Sequence, residues 1–489
     1  MYFCTSDRHS FCRCSDVGIW LSPFRCFVTE HLLTMNNRIS AMNNPVLCAS
    51  GRLCPRFMTF VTVILLLPMM AQATVYYTHS AQADIASLRV RYQEQDNLTR
   101  PYLVLQNGVV DGTDARNTLE VSFDCMTHDI KQCTYTVFHL NADWSPSDLQ
   151  TTEYLQGFTA ADITAYELSN LTQRDYTHYS FTFPNADMQL TRSGNYVLHI
   201  YEDGDHSKTV ADVCFSVAEP LVGISAQVRS NTSKEINGRY QQLDIDLDMK
   251  HLSAFNANEI TLAVQQNNRT DNAVVVRQPT YVEAQRLRYM NCDELIFEGG
   301  NEFRHIDTYS VYYAGYNVNR IRFERPDYHA FLEPDENRGV ISGITDKTGS
   351  PYIQQNDADG QWLANAEQSD YDDTDAEYMW VHFFLPVNEP FFDGSLYVGG
   401  DLFDNRMTIT NRMEYDNEQR CYYLSALLKQ GGYDYQYLFV PKGGKQATLL
   451  RTEGSHWQTE NTYTIAVYYR PVGGRYDRLV GYRLIRSGQ

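Results

Sequence analysis

Few groupings in this 489-residue chain bring together side chains that could do chemistry. Asp357-Ala-Asp359-Gly360 sets two carboxylates ahead of a glycine, as calcium loops do. With Gly360 as the sixth loop position, however, Gln355 and Ala366 fall at the first and closing ligand positions. A turn is expected there, with weak calcium capture by the acidic 357–375 stretch left open. Asp244, Asp246 and Asp248 alternate with Leu243, Ile245 and Leu247. Neighbours on one face of a strand sit about 7 Å apart, too far for one ion to reach all three, so a solvated sheet face is expected. Gly443-Gly444-Lys445 lacks the upstream glycine of a phosphate loop, and the histidines are scattered singly. No H-E-x-x-H and no G-x-S-x-G occurs. These patterns point to a binding protein rather than an enzyme, with no catalytic residue, cofactor or metal expected.

The elements that carry these residues read as strands. Leu119-Glu-Val121-Ser-Phe123, Tyr196-Val-Leu198-His-Ile200 and Val222-Gly-Ile224-Ser-Ala226 alternate with period two. Further strands are expected at 260–264, 311–313 and 319–324. The last carries Arg320 and Arg322 on one side with Arg325 just beyond, the densest basic patch of the chain, and internal ion pairing is its expected use. Many short runs, 35 Tyr and 23 Phe point to an all-β chain of tandem immunoglobulin-like β-sandwiches. Ala218-Glu219-Pro220 marks the first boundary, giving sandwiches over 74–219, 220–365 and 366–489. In the last, Val398-Gly-Gly-Asp401 and Gly432-Tyr433-Asp-Tyr435-Gln-Tyr437 resemble early-set modules that bind α-glucans. Asp404-Asn405-Arg406 follows where such modules offer tryptophans to a sugar.

Arg52 and Arg56 precede an apolar run over 57–70 and then Ala71-Gln72-Ala73. That is the layout of a secretory signal peptide cleaved after Ala73, and about 14 apolar residues are too few to span a bilayer. Residues 1 to about 50 fit no part of such a signal and read as an extension upstream of the true start. Six of the 40 basic and three of the 60 acidic residues lie before Thr74, so the mature chain carries a net charge of −23. Such acidity excludes nucleic acid as a partner and opposes an anionic membrane face. Five cysteines follow the signal, namely Cys125, Cys133, Cys214, Cys292 and Cys421. Cys125 and Cys133 flank a short connection between two expected strands, a spacing that admits a hairpin disulfide in an exported chain. The odd count leaves at least one thiol free unless chains cross-link.

The stretch 137–158 opens as a strand and breaks at Asn141-Ala-Asp143, where short polar side chains favour a turn. Trp144 then stands between that turn and Ser145-Pro146, a ring suited either to packing over the end of a sandwich or to contacting a partner. His139-Leu140-Asn141-Ala142-Asp143-Trp144 resembles the signature of the type 9 secretion system plug proteins of Bacteroidota, with Leu140 where the family usually has Cys. Further likenesses follow in order, at Glu153-Tyr154-Leu155, Tyr176-Thr-His178-Tyr179, Gly194-Asn195-Tyr196, Asn301-Glu302-Phe303-Arg304, Gly431-Gly432-Tyr433 and Trp457-x-Thr459. They span nearly the whole mature chain.

The resemblance implies a periplasmic, non-enzymatic protein on the inner side of the outer membrane. It implies that the protein docks on the large outer-membrane translocon barrel and plugs its periplasmic opening when no cargo is bound. Asp143, Trp144, Tyr154, Asn301, Phe303 and Arg304 are the signature residues it offers for docking, and the chain's acidity would suit a basic rim on the barrel. The alternative is a periplasmic or surface glycan-binding protein, which requires an exposed, coplanar aromatic pair on the last sandwich.

Overall fold

The computed structural model describes residues 75–93, 102–234, 238–252, 256–339, 352–369 and 371–488. The expected extension, signal peptide and cleavage site lie outside them. Residues 73–489 form one compact unit, nearly all β.

In the first sandwich, Leu119, Val121, Phe123 and Cys125 point between two sheets and are fully buried. Their strand, Leu119–Cys125, lies between Ile85–Tyr92 and Thr177–Phe183. The facing sheet orders His79–Ser80, Thr209–Ala218, Gly194–Glu202, Cys133–Leu140 and Ala160–Asp162, and supplies Tyr196, Leu198, Phe215 and Val213 to the same core. Cys125 therefore closes a strand of one sheet and Cys133 opens a strand of the other. The connection between them crosses from sheet to sheet instead of turning a hairpin, and both residues are free, buried thiols. The expected disulfide is corrected accordingly.

The middle sandwich is assembled from two distant pieces of chain. Gly223–Arg229, Tyr240–Asp248, Arg286–Tyr289 and Tyr281–Glu283 make one sheet. The other runs Val274–Val276, Ile260–Gln266, Thr462–Tyr469, Arg478–Arg486, so the last two strands of the chain return to pair with Ile260–Gln266. Leu243, Ile245 and Leu247 meet Ile465 and Val467 in its core. The three aspartates face outward, each with its own cation: Arg229 at 2.6 Å, Arg288 at 3.0 Å and Lys250 at 2.8 Å.

The third sandwich is inserted between those pieces. Arg304–Asp307, Gly431–Pro441 and Trp362–Ala364 form one sheet, extended by Gly394–Gly399. Val318–Glu324, Asp327–Leu332, Tyr378–Pro386, Cys421–Lys429 and Glu414–Asp416 form the other. Arg304–Asp307 pairs with Gly431–Pro441, across the expected division at 365/366. The expected segments 220–365 and 366–489 therefore match neither sheet system. Pairing follows the apolar faces left uncovered by near neighbours, and Tyr463, Ile465 and Val467 fill the core of the middle sandwich. The strand expected at 311–313 is an irregular loop.

Candidate functional site in the seams between sandwiches

The signature turn is held from both sides. The strand Cys133–Leu140 carries His139 to a buried position where its Nε2 donates to the Ser193 carbonyl (3.1 Å) and its Nδ1 accepts from the Ser147 hydroxyl (2.9 Å). Burial pushes this imidazole down to about 4, so it is neutral at physiological pH. A Cβ at Gly194 would lie 2.5 Å from that ring, which explains a glycine there. Asp143 accepts from the Ser145 N–H (3.1 Å) and hydroxyl (2.5 Å), and Trp144 takes a left-handed φ of 63°, uncommon for a bulky residue. Across the seam, the Ala142 N–H donates to the Asp477 carboxylate (2.9 Å), and Arg470 reaches Asn141 (2.5 Å) and Asp477 (2.8 Å). Asp143 is exposed and Trp144 half-buried. Both line a cavity of about 550 Å³ that is also walled by Arg89, Trp362 and Tyr468, one from each sandwich. Tyr154 is buried beside His139 and Tyr196, its hydroxyl donating to the Val137 carbonyl (3.0 Å).

Asn301, Phe303 and Arg304 are brought together in a second seam, between the middle and inserted sandwiches, and all three are buried. The Asn301 amide donates to the Glu453 carbonyl (3.0 Å) and its oxygen accepts from Glu302 and Ile353 N–H groups (both 3.1 Å). Arg304 forks onto Glu453 (3.0 and 2.9 Å) and reaches Asp335 (2.8 Å). Burial works against its charge, but Glu453 and Asp335 outweigh that and hold the guanidinium above its usual range. Phe303 packs on Gly360, and its N–H donates to Asp357 (2.5 Å). The Asp357-x-Asp359-Gly360 turn thus spends its carboxylates on backbone and on the Thr462 hydroxyl (2.6 Å). Burial pushes Asp357 up to about 8 and raises Asp359 and Glu302 as well. Among the described residues, no group of three or more His, Cys, Asp and Glu side chains could hold a metal ion.

Sequence reasoning missed a third seam, between the first and inserted sandwiches. Asp124 is fully buried and accepts from Lys429 (2.7 Å), His178 (2.6 Å) and the Tyr378 hydroxyl (2.7 Å). Burial pushes its carboxyl up, but the Lys429 and His178 contacts overcome this and hold it below the usual carboxylate range. Lys429 lies 4.4 Å from the centre of the Tyr176 ring. Arg89–Asp373 and Arg174–Asp327, each at 2.7 Å, flank the group. The only sequence signal was indirect: His178 sits in the Tyr176-Thr-His178-Tyr179 likeness.

So arranged, the charged groups neutralise one another across the seams, and four of the six signature residues are shut away from any partner. The seams join three β-sandwiches into one compact unit. Residues 85–219, which hold most of the first sandwich, match the family model described as "Type 9 secretion system plug protein 1st domain". The chain is 34% identical to a hypothetical protein from Parabacteroides merdae ATCC 43184 with a solved crystal structure, over 85% of this chain and 100% of that one, with a TM-score of 0.79. A biofilm-associated protein BSP domain aligns at 7% identity over 85% of this chain and 61% of that one, and its TM-score of 0.16 carries no argument. No curated protein matches the chain. The chain belongs to the type 9 secretion system plug family.

Proposed function

We propose that the chain docks on the periplasmic opening of the large outer-membrane barrel of the type 9 system and closes it while no cargo occupies the channel. The observation that carries this reading is the family match over the first sandwich. The seams support it mechanically. A cap over a wide opening must resist bending, and ion pairs buried between sandwiches fix their mutual orientation, because a slip that parts the partners without admitting water would leave a buried charge uncompensated. No helix among the described residues is long and apolar enough to cross a membrane. Residence in the periplasm, reached through a Sec-type signal over 57–73, and attachment through the barrel complete the proposal. The test is isolation of the barrel from its native host in cargo-free and cargo-loaded forms. The chain should accompany the first and be missing from the second, and its absence from both would overturn the reading.

No observation favours the glycan-binding alternative. Tyr433, Tyr435 and Tyr437, the aromatic residues of the early-set likeness, fill the core of the inserted sandwich. On another face, the half-buried rings of Phe331 and His382 stack against each other at 4.5 Å, and Arg320 lies over the Phe331 ring.

A further inference from the structure

The strand Val318–Glu324 is the outermost of its sheet, paired on one side only with Asp327–Leu332. Val318 and Ile321 turn into the core, which sends Arg320 and Arg322 outward, and Arg325 follows at the turn. All three arginines are exposed, and none of their side chains makes an ion pair or hydrogen bond with a described residue. The expected internal pairing is therefore not their use, although Arg320 lies 4.6 Å above the Phe331 ring. The preceding loop exposes Tyr312 (80%), Tyr313 (53%) and Tyr316 (54%), and Phe323 on the strand is exposed as well. Tyr and Arg are the residue types that anchor protein interfaces, and elsewhere this chain spends arginines such as Arg304 and Arg174 inside its seams.

Resting on the plug reading, we propose that this edge is the face through which the chain engages the barrel, and that the barrel presents an acidic polypeptide segment to it. Guanidinium forks match carboxylates, which fixes the sign of the partner. The outer side of an edge strand carries unpaired N–H and C=O groups that an extended polypeptide can complete and a lipid headgroup layer cannot. An anionic bilayer plane would also meet the mature chain's net charge of −23. At an acidic segment, charges beyond roughly 8 Å are screened at physiological salt, so the local arginines set the interaction. The contact patch thus has the opposite sign to the one that overall acidity suggested.

The test measures binding of purified barrel from the native host, in detergent, to three forms of the full mature chain. These are the wild type, Arg320→Glu/Arg322→Glu/Arg325→Glu, and Arg277→Glu/Arg412→Glu/Arg420→Glu. The last makes the same change of net charge at exposed arginines elsewhere. Thermal unfolding of each form checks the fold. The patch variant should bind at least about tenfold more weakly than wild type while the control binds as wild type does. Equal binding by the patch variant, or an equal loss in the control, overturns this assignment and leaves the plug reading standing. Failure of the wild type to bind overturns both. Wild-type binding to phosphatidylglycerol vesicles that the patch variant loses, with its barrel binding intact, assigns the patch to lipid and likewise overturns the proposal.

Discussion

Replacing Lys429 by Met tests whether the third seam holds the sandwiches together or merely fills space. Lys429 and Asp124 are 2.7 Å apart, with side chains 2% and 0% exposed. At an effective dielectric of about 20, their gross attraction is about 6 kcal/mol, against a desolvation penalty of several kcal/mol per ion, so the intact pair is close to neutral. The single substitution is different, because it leaves a buried carboxylate without its cation, a change that costs about 3–5 kcal/mol. His178 and Tyr378 still donate to Asp124, which places the expected loss near the lower end, at about 3 kcal/mol. Asp124→Asn/Lys429→Met should recover more than half of that loss, since Asn removes the charge, keeps an acceptor for His178 and turns an amide N–H toward the Tyr378 hydroxyl, which can accept it. Urea unfolding at pH 7 reads both variants. The pH dependence supplies a second check. In the wild type Asp124 is held below its unfolded value, so its contribution is present above that value and is lost as pH falls through the folded one. Without Lys429, burial is opposed mainly by His178, so the carboxyl rises relative to the wild type and the deficit of the single variant should shrink as pH falls toward 4. A double variant no more stable than the single one, or a deficit independent of pH, would refute the reasoning.

Three other outcomes are expected. Trp144→Ala removes a half-buried ring from the junction cavity and should cost about 2 kcal/mol, below the 3–5 of a fully buried aromatic, measured by urea unfolding. Asp357 is raised from 3.8 to about 8, so the folded state holds its proton more tightly and stability falls as pH rises between those values, by up to about 1.4 kcal/mol per pH unit. Thermal unfolding from pH 5 to 8 should show that slope, and Asp357→Asn should flatten it. A fragment spanning 220–365 should fail to fold cooperatively by circular dichroism, because it lacks Thr462–Tyr469, the ladder partner of Ile260–Gln266, and adding 456–489 in trans should restore the transition.

The strands themselves were legible where one face is buried and the other wet. Leu243-Asp-Ile245-Asp-Leu247 declared its register because alternation maps directly onto core and solvent. The same rule could not single out Asp124 in Leu119–Cys125. The inserted sandwich covers that face and turns the carboxylate into the centre of a seam. A period-two pattern reports which side of a strand meets its own partner sheet, and says nothing of a second layer brought from 300 residues away. The same limit explains the misplaced boundaries. Ile260–Gln266 presents a ladder edge whose complement, Thr462–Tyr469, carries no mark that assigns it there rather than to the nearer strands of the inserted sandwich.

Among the signature residues, type was legible but placement was not. Tyr154, Asn301, Phe303 and Arg304 were singled out as docking residues, and each is spent inside the protein on backbone, glycine or carboxylate partners. Tyr154 packs within the first sandwich, whereas Asn301, Phe303 and Arg304 lie at the seam with the middle sandwich. Arg320, Arg322 and Arg325 were read in the opposite direction, as internal ion-pair partners, and they stand without an ion-pair partner on an edge strand and the turn that follows it. The misplacing of the arginines has a simple origin. A charge in sequence has no sign of its neighbour, and in a chain with 60 acidic residues every arginine looks as though it has a partner nearby. Only the fold decides which arginines are consumed by the seams and which are left for another molecule.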